Sequence, residues 1–163
     1  MAQGTKIEWT DTTDNLIVVK GEDGKPNGWF CVRQSPGCKN CYSEHINSTS
    51  YFNGNGMPYR HPSDGEDPKL MLRKDIILSW QRMKKSKKHF VNSMTDTFGE
   101  FVPDEWVTDM LDGMFFAKKQ TFQVLTKRSK RMCDSVNNWV KRASLSESPP
   151  HMWFGVSAEN DEW

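Results

Sequence analysis

From His89 onward, short runs of β-forming residues alternate with stretches whose apolar residues recur at helical spacing. This alternation restricts the fold more than any other feature of the chain. His89-Phe90-Val91-Asn92-Ser93-Met94 reads as a strand. Pro103 opens a helix with Trp106, Val107, Met110, Leu111 and Met114 on one face, and Asp104 and Glu105 fill its first turn. Proline and acids are favoured there because the first amides lack intrahelical acceptors. Thr121 to Thr126 reads as the next strand, and Ser129 can cap a helix with Met132, Cys133, Val136, Trp139 and Val140 on its apolar face. Cys133 is therefore expected to be a small buried hydrophobe. Met152 to Ser157 reads as a last strand. Upstream, Leu72, Ile76, Ile77, Trp80 and Met83 have helical spacing, and Trp29 to Val32 reads as a further strand.

Strands alternating with amphipathic helices imply a parallel sheet with right-handed crossovers. The expected class is α/β: a parallel sheet of a partial (β/α) barrel type. Strands at 29–32, 89–94, 121–126 and 152–157 should lie side by side, with helices at 103–117 and 129–142 on one face. A closed barrel needs roughly 200 residues or more, so 163 residues suggest a truncated or split form. The expected organisation is a single domain, 1–163. Residues 1–28 form an irregular N-terminal arm or hairpin around Leu16 to Val19, and 29–163 form the β/α core. An open last strand would favour a partner chain or a dimer completing the sheet.

Charge sets further bounds. The formal net charge is +1, so no global field points to a polyanion or a membrane. No apolar run approaches the length of a membrane span. The first residues, Met1 to Lys6, lack an apolar signal region, and the expected location is the cytoplasm. Lys84, Lys85, Lys87 and Lys88 follow the Ile76–Met83 helix. They read either as cations matched to the helix dipole or as a nucleic-acid contact.

The cysteines carry the sharpest functional signal. Cys31, Cys38 and Cys41 are spaced C-x6-C-x2-C, and Pro36-Gly37 turns the chain between the first two. In a reducing compartment such a set reads as metal or redox chemistry before disulfides. Parallel sheets gather chemistry at the C-terminal ends of their strands. There the chain would deliver the cysteines, then Asn92, Ser93, Thr95 and Asp96, then Thr126, Lys127 and Arg128, and finally Ser157, Glu159 and Asn160.

The cysteine segment from Cys31 to Tyr42 resembles the signature of a phage-encoded three-cysteine protein family of unknown substrate, itself related to radical S-adenosylmethionine enzymes. Similar stretches are Thr5 to Thr10, Phe90 to Asp96, Val102 to Glu105, Thr121 to Arg128 and Trp153 to Ser157. The resemblance implies a [4Fe-4S] cluster on Cys31, Cys38 and Cys41, with one iron open to S-adenosylmethionine. It places Asn92, Ser93 and Asp96 at the methionine amino group, and Ser157 and Glu159 near the ribose. Asp96 is the expected partner of the ammonium. A second reading adds His45 to the cysteines as C-x6-C-x2-C-x3-H, a structural Cys3His zinc site. The chain would then be a metal-stabilised binding module, or an inactive truncated relative acting as a binding protein.

Overall fold

The computed structural model describes residues 5–49 and 53–158. The main sheet has four strands: β1 (Thr12–Asp14), β4 (Lys88–Val91), β5 (Thr121–Thr126) and β6 (Met152–Val156). They lie side by side in that order, and every pairing is parallel. A two-stranded antiparallel sheet joins β2 (Ile17–Val19) to β3 (Leu70–Leu72). Four helices complete the regular structure: α1 (Tyr42–Asn47), α2 (Lys74–Arg82), α3 (Asp104–Phe116) and α4 (Ser129–Arg142).

Helices α2, α3 and α4 place their apolar positions in one core with the sheet. Ile76, Ile77 and Trp80 of α2 are buried, as are Val107, Met110, Leu111 and Met114 of α3. They meet Val91, Phe122 and Val124, which alternate with outward residues along their strands. Trp80 packs on Phe122 at 4.6 Å between ring centroids. Each such side chain contributes about 1.5–3 kcal/mol by leaving water. The opposite face of the sheet is barely covered: Trp9 lies over Phe90 at 4.7 Å, while Leu125 and Trp153 remain exposed.

Two expectations are corrected here. Residues 29–32 do not form the first strand; Val32 makes only an isolated parallel bridge to Arg60. Thr12 to Asp14 takes that place, pairing in register with His89 to Val91. The sequence Thr-Thr-Asp does not look like a buried strand, but Asp14 Oδ2 finds internal partners, while Oδ1 is buried without one among the described residues. Asp14 accepts hydrogen bonds from Trp80 Nε1 at 2.8 Å and pairs with His89 Nδ1 at 2.6 Å. Cys133 is exposed rather than buried. It lies to one side of the stripe made by Met132, Val136, Trp139 and Val140, with Asn137 Nδ2 donating to its sulfur at 3.2 Å.

Helices α2 and α3 approach closely at Gly113. A Cβ there would fall 2.2 Å from Ile77 Cγ2. Alanine gains up to about 1 kcal/mol of helix propensity over glycine, but overpacking costs about 1–3 kcal/mol. The clash should win: Gly113→Ala lowers stability in urea unfolding. Ile77→Leu, which lacks the Cγ2 methyl, should recover part of that loss in the double variant. A Gly113→Ala variant more stable than wild type would contradict this packing.

Candidate functional site

The cysteine segment is laid across the C-terminal ends of the parallel strands, anchored at three points along it and at a fourth through Tyr59 in the loop beyond it. Thr95 Oγ1 donates to the carbonyl of Phe30, and Arg128 Nη2 donates to that of Val32 at 2.8 Å. Tyr42 OH donates to Ser93 O at 2.7 Å, and the buried Tyr59 OH donates to Met94 O. Pro36–Asn40 forms a single 3-10 turn, and α1 begins directly after Cys41. The result is a cleft of about 500 Å3 between this segment and the strand ends. Ile7, Trp9, Phe90 and Leu125 form its apolar side, and Cys31, Cys38 and Cys41 lie on its wall.

Asp96 is the hub of this arrangement. Oδ1 accepts from Phe98 N at 2.9 Å and Thr126 Oγ1 at 2.6 Å. Oδ2 accepts from Lys127 N at 3.1 Å and Arg128 Nη1 at 3.0 Å. Arg128, itself buried, also donates through Nε to Glu100 at 2.7 Å. One guanidinium thus joins the loop after β4, the end of β5 and the cysteine segment. Its planar fork suits this role in a way a lysine ammonium cannot.

Most of the other residues expected at this site line the cleft, and several are already engaged within the chain. Asn92 has φ 58°, a left-handed conformation that asparagine tolerates. Its Oδ1 accepts from Leu16 N at 2.8 Å, and its Nδ2 donates to Thr97 Oγ1 at 2.9 Å. Ser93 Oγ donates to Asn15 Oδ1 at 3.3 Å. Ser157 also lines the cleft, with its amide donating to Thr126 O at 2.9 Å. Glu159 and Asn160 lie outside the described residues. Sequence reasoning missed Trp9, Phe90 and Leu125 as cleft residues. The period-2 alternation of β4 and β5 was the signal for the last two, because it sends them to the uncovered face.

The three thiols differ. Cys31 is intermediate in exposure as a residue, yet burial of its thiol, with the Asp96 carboxylate nearby, pushes its pKa up to about 12. Its Sγ–H points to Val32 O at 3.6 Å. Burial also opposes ionisation of Cys38, but this is outweighed by hydrogen bonds from the Gln34 and Ser35 amides, the Ser35 hydroxyl and the charge of Lys127. The Cys38 pKa is lowered as a result. Gln34 N lies 3.4 Å and Ser35 Oγ 3.7 Å from its sulfur. Cys41 Sγ pairs with Ser43 Oγ at 3.0 Å.

This geometry overturns the metal expectations. Among the described residues, no group of three or more His, Cys, Asp or Glu side chains could hold a metal ion. Each thiol is turned to a hydroxyl, amide or carbonyl of its own segment, so the three do not converge as ligands. A [4Fe-4S] cluster on Cys31, Cys38 and Cys41 is therefore not supported. The S-adenosylmethionine chemistry that depended on the cluster, and the radical-enzyme resemblance built on it, go with it. The Cys3His zinc alternative fails too, since the set does not converge and His45 is exposed on α1. The further reading of a metal-stabilised module or inactive radical-enzyme relative loses the same foundation. No helix among the described residues is long and apolar enough to cross a membrane.

The clamp makes a direct prediction. Arg128→Met leaves the Asp96 carboxylate without its guanidinium partner and should cost about 3–5 kcal/mol, as expected when one partner of a buried pair is removed. Hydrogen exchange should accelerate at Arg33, whose amide donates to Arg60 O beside the clamped carbonyl, and not at Val124 in the sheet centre. A loss under 1 kcal/mol, or uniform acceleration, would show that the cysteine segment does not depend on Arg128.

No curated protein and no solved structure matches the chain. A family match does cover nearly all of it: residues 4–163 fit the family described as a protein of unknown function, DUF5131. The chain, a small α/β protein with a four-stranded parallel sheet and a thiol-lined cleft at its strand ends, belongs to the DUF5131 family.

Proposed function

We propose that the cleft binds a small organic molecule and that the Cys38 thiolate is its reactive group. The observation that carries this reading is the environment of Cys38: its sulfur accepts hydrogen bonds from its own loop, its pKa is lowered, and it lies on the cleft wall. The thiolate is the nucleophilic form of cysteine, so a lowered pKa raises the reactive fraction at neutral pH. Cys31, held protonated by burial, is the inert neighbour. Trp9, Phe90 and Leu125 suit an apolar ring, while Ser93, Thr95 and Ser157 flank it with polar groups. Asn92 and Asp96 hold the wall in place through their internal bonds. In this reading the thiolate adds to an electrophilic carbon of the ligand. The sulfur–carbon bond forms while the displaced electron pair moves to a carbonyl oxygen or a leaving group of that ligand. We also read the sheet as an arc of a (β/α) barrel, because its helices share one core and the cleft opens at the strand C-terminal ends.

A second reading concerns a macromolecular partner. Lys84, Lys85, Lys87 and Lys88 are exposed, and among the described residues their ammonium groups make no ion pair. This favours contact with nucleic acid at a surface away from the cleft.

Site-resolved alkylation tests the thiol reading. With iodoacetamide, Cys38 should reach half-maximal rate at a lower pH than a free cysteine in a short peptide, and Cys31 should stay unmodified near neutrality. The sign follows from the shifts: a lowered pKa brings the thiolate in earlier as pH rises, and a raised one delays it. A chloroacetamide bearing an aromatic ring should label Cys38 about tenfold faster than chloroacetamide itself, the equivalent of burying roughly 55 Å2 of apolar area. Leu125→Glu should remove that advantage. If the peptide cysteine reaches half-maximal rate at a lower pH than Cys38, or the ring gives no advantage, the proposal fails.

A further inference from the structure

The end of the sheet opposite the cleft gathers two basic segments that are far apart in sequence. Lys84, Lys85, Lys87 and Lys88 lead into β4, and Lys118 and Lys119 lead into β5. All six side chains are exposed. The parallel pairing sets Lys88 beside Thr121, and Thr121 N donates to Lys87 O at 2.9 Å. A buried glutamine fixes the junction. Gln120 Oε1 accepts from Lys87 N at 3.0 Å, and Gln120 Nε2 donates to Lys85 O at 3.2 Å. The same Oε1 lies 3.2 Å from Nε2 of the buried His89, so the basic rim is tied to the core. Among the described residues none of these six ammonium groups has a carboxylate partner; Lys118 instead lies 5.6 Å from the centre of the Phe115 ring. Because the whole chain carries only +1, six cations at one end leave the remainder net acidic. The Asp11 carboxylate stands at the same end, with Oδ2 accepting from Lys88 N at 2.7 Å, but six cations outnumber it, so the rim is locally basic and attracts anions despite the near-neutral total.

One further group stands beside the rim. Phe116, the last residue of α3, is 61 % exposed directly before the turn that carries Lys118 and Lys119. An exposed aromatic next to a row of cations matches the way unpaired bases are held, with phosphates on the cations and a base stacked on the ring. A duplex offers no free base face to such a ring, and a membrane surface would call for a continuous apolar stripe beside the charges.

We propose that this rim, Lys84 to Lys88 with Lys118, Lys119 and Phe116, is a docking surface for single-stranded nucleic acid. The proposal rests on the nucleic-acid reading above and adds the surface, the form of the partner and the role of Phe116.

Fluorescence anisotropy with a labelled 20-nucleotide single strand, and with the matching duplex, tests it. The single strand should bind more tightly, with a log–log salt slope of about −3 to −4 if most of the six lysines meet phosphates. Lys85→Glu with Lys87→Glu, and Lys118→Glu with Lys119→Glu, should each weaken binding at least tenfold. Lys20→Glu with Lys69→Glu, the same change of net charge at exposed positions on the other sheet, should leave it within twofold. Phe116→Ala should weaken the single strand about tenfold with the salt slope unchanged. Absence of oligonucleotide binding in low salt, or tighter binding to phosphatidylserine vesicles than to the oligonucleotide, would overturn both this proposal and the nucleic-acid reading. Equal binding of single strand and duplex with no effect of Phe116→Ala would leave the nucleic-acid reading standing and overturn the single-strand assignment. Equal loss in the Lys20/Lys69 variant would overturn the rim as the docking surface.

Discussion

The buried pair of Asp96 and Arg128 is the interaction on which the cleft depends. A carboxylate and a guanidinium withdrawn from water cost several kcal/mol each unless their hydrogen-bonding capacity is filled. Here it is nearly filled. Asp96 accepts four hydrogen bonds, and Arg128 reaches Asp96, Glu100 and the Val32 carbonyl. Because the acceptors belong to different segments, the pair is a joint rather than a decoration of one loop. It sets where the cysteine segment lies over the strand ends, and that position gives each thiol its surroundings. Burial, with the Asp96 carboxylate nearby, raises the pKa of Cys31, while at Cys38 the loop hydrogen bonds and Lys127 outweigh burial and lower it. Three chemically identical side chains close in sequence are thereby made unequal.

A second buried polar cluster supports the sheet from below. Asp14, His89 and Trp80 form hydrogen bonds within the helix-side core, and Gln120 continues the chain of contacts to the start of β4. These groups let the short polar strand β1 occupy a buried edge. The uncovered sheet face follows from the topology. Helices α2, α3 and α4 share one core, so Phe90, Leu125 and Trp153 face away from it, and the cysteine segment covers only the C-terminal part. A surface with aromatic walls and polar strand ends is the natural consequence.

Much of this was legible in the sequence. The alternation that placed β4, β5, β6, α3 and α4 holds because each element carries its own period of apolar residues. The first strand was not legible. Trp29 to Val32 looks the part through its apolar residues, yet Thr12 to Asp14 does the pairing, and only partners distant in sequence make that strand's polarity affordable. The cysteine spacing suggested a ligand set, but the direction of the sulfurs depends on hydrogen bonds that spacing does not encode. Asp96 read as the partner of a ligand's ammonium because its four internal donors lie on residues spread from 98 to 128. The joining of Lys84–Lys88 to Lys118 and Lys119 was equally hidden, since it rests on strand register and on one buried glutamine.

The most direct test of the account couples the clamp to the thiol. The pH dependence of Cys38 alkylation, measured by mass spectrometry in wild type and in Arg128→Met under conditions where circular dichroism shows both folded, reports whether the pair sets the sulfur's environment. The account predicts that wild-type Cys38 titrates below an ordinary thiol and that loss of the Arg128 joint moves the variant's Cys38 profile to higher pH. An unchanged Cys38 profile in folded Arg128→Met would contradict it.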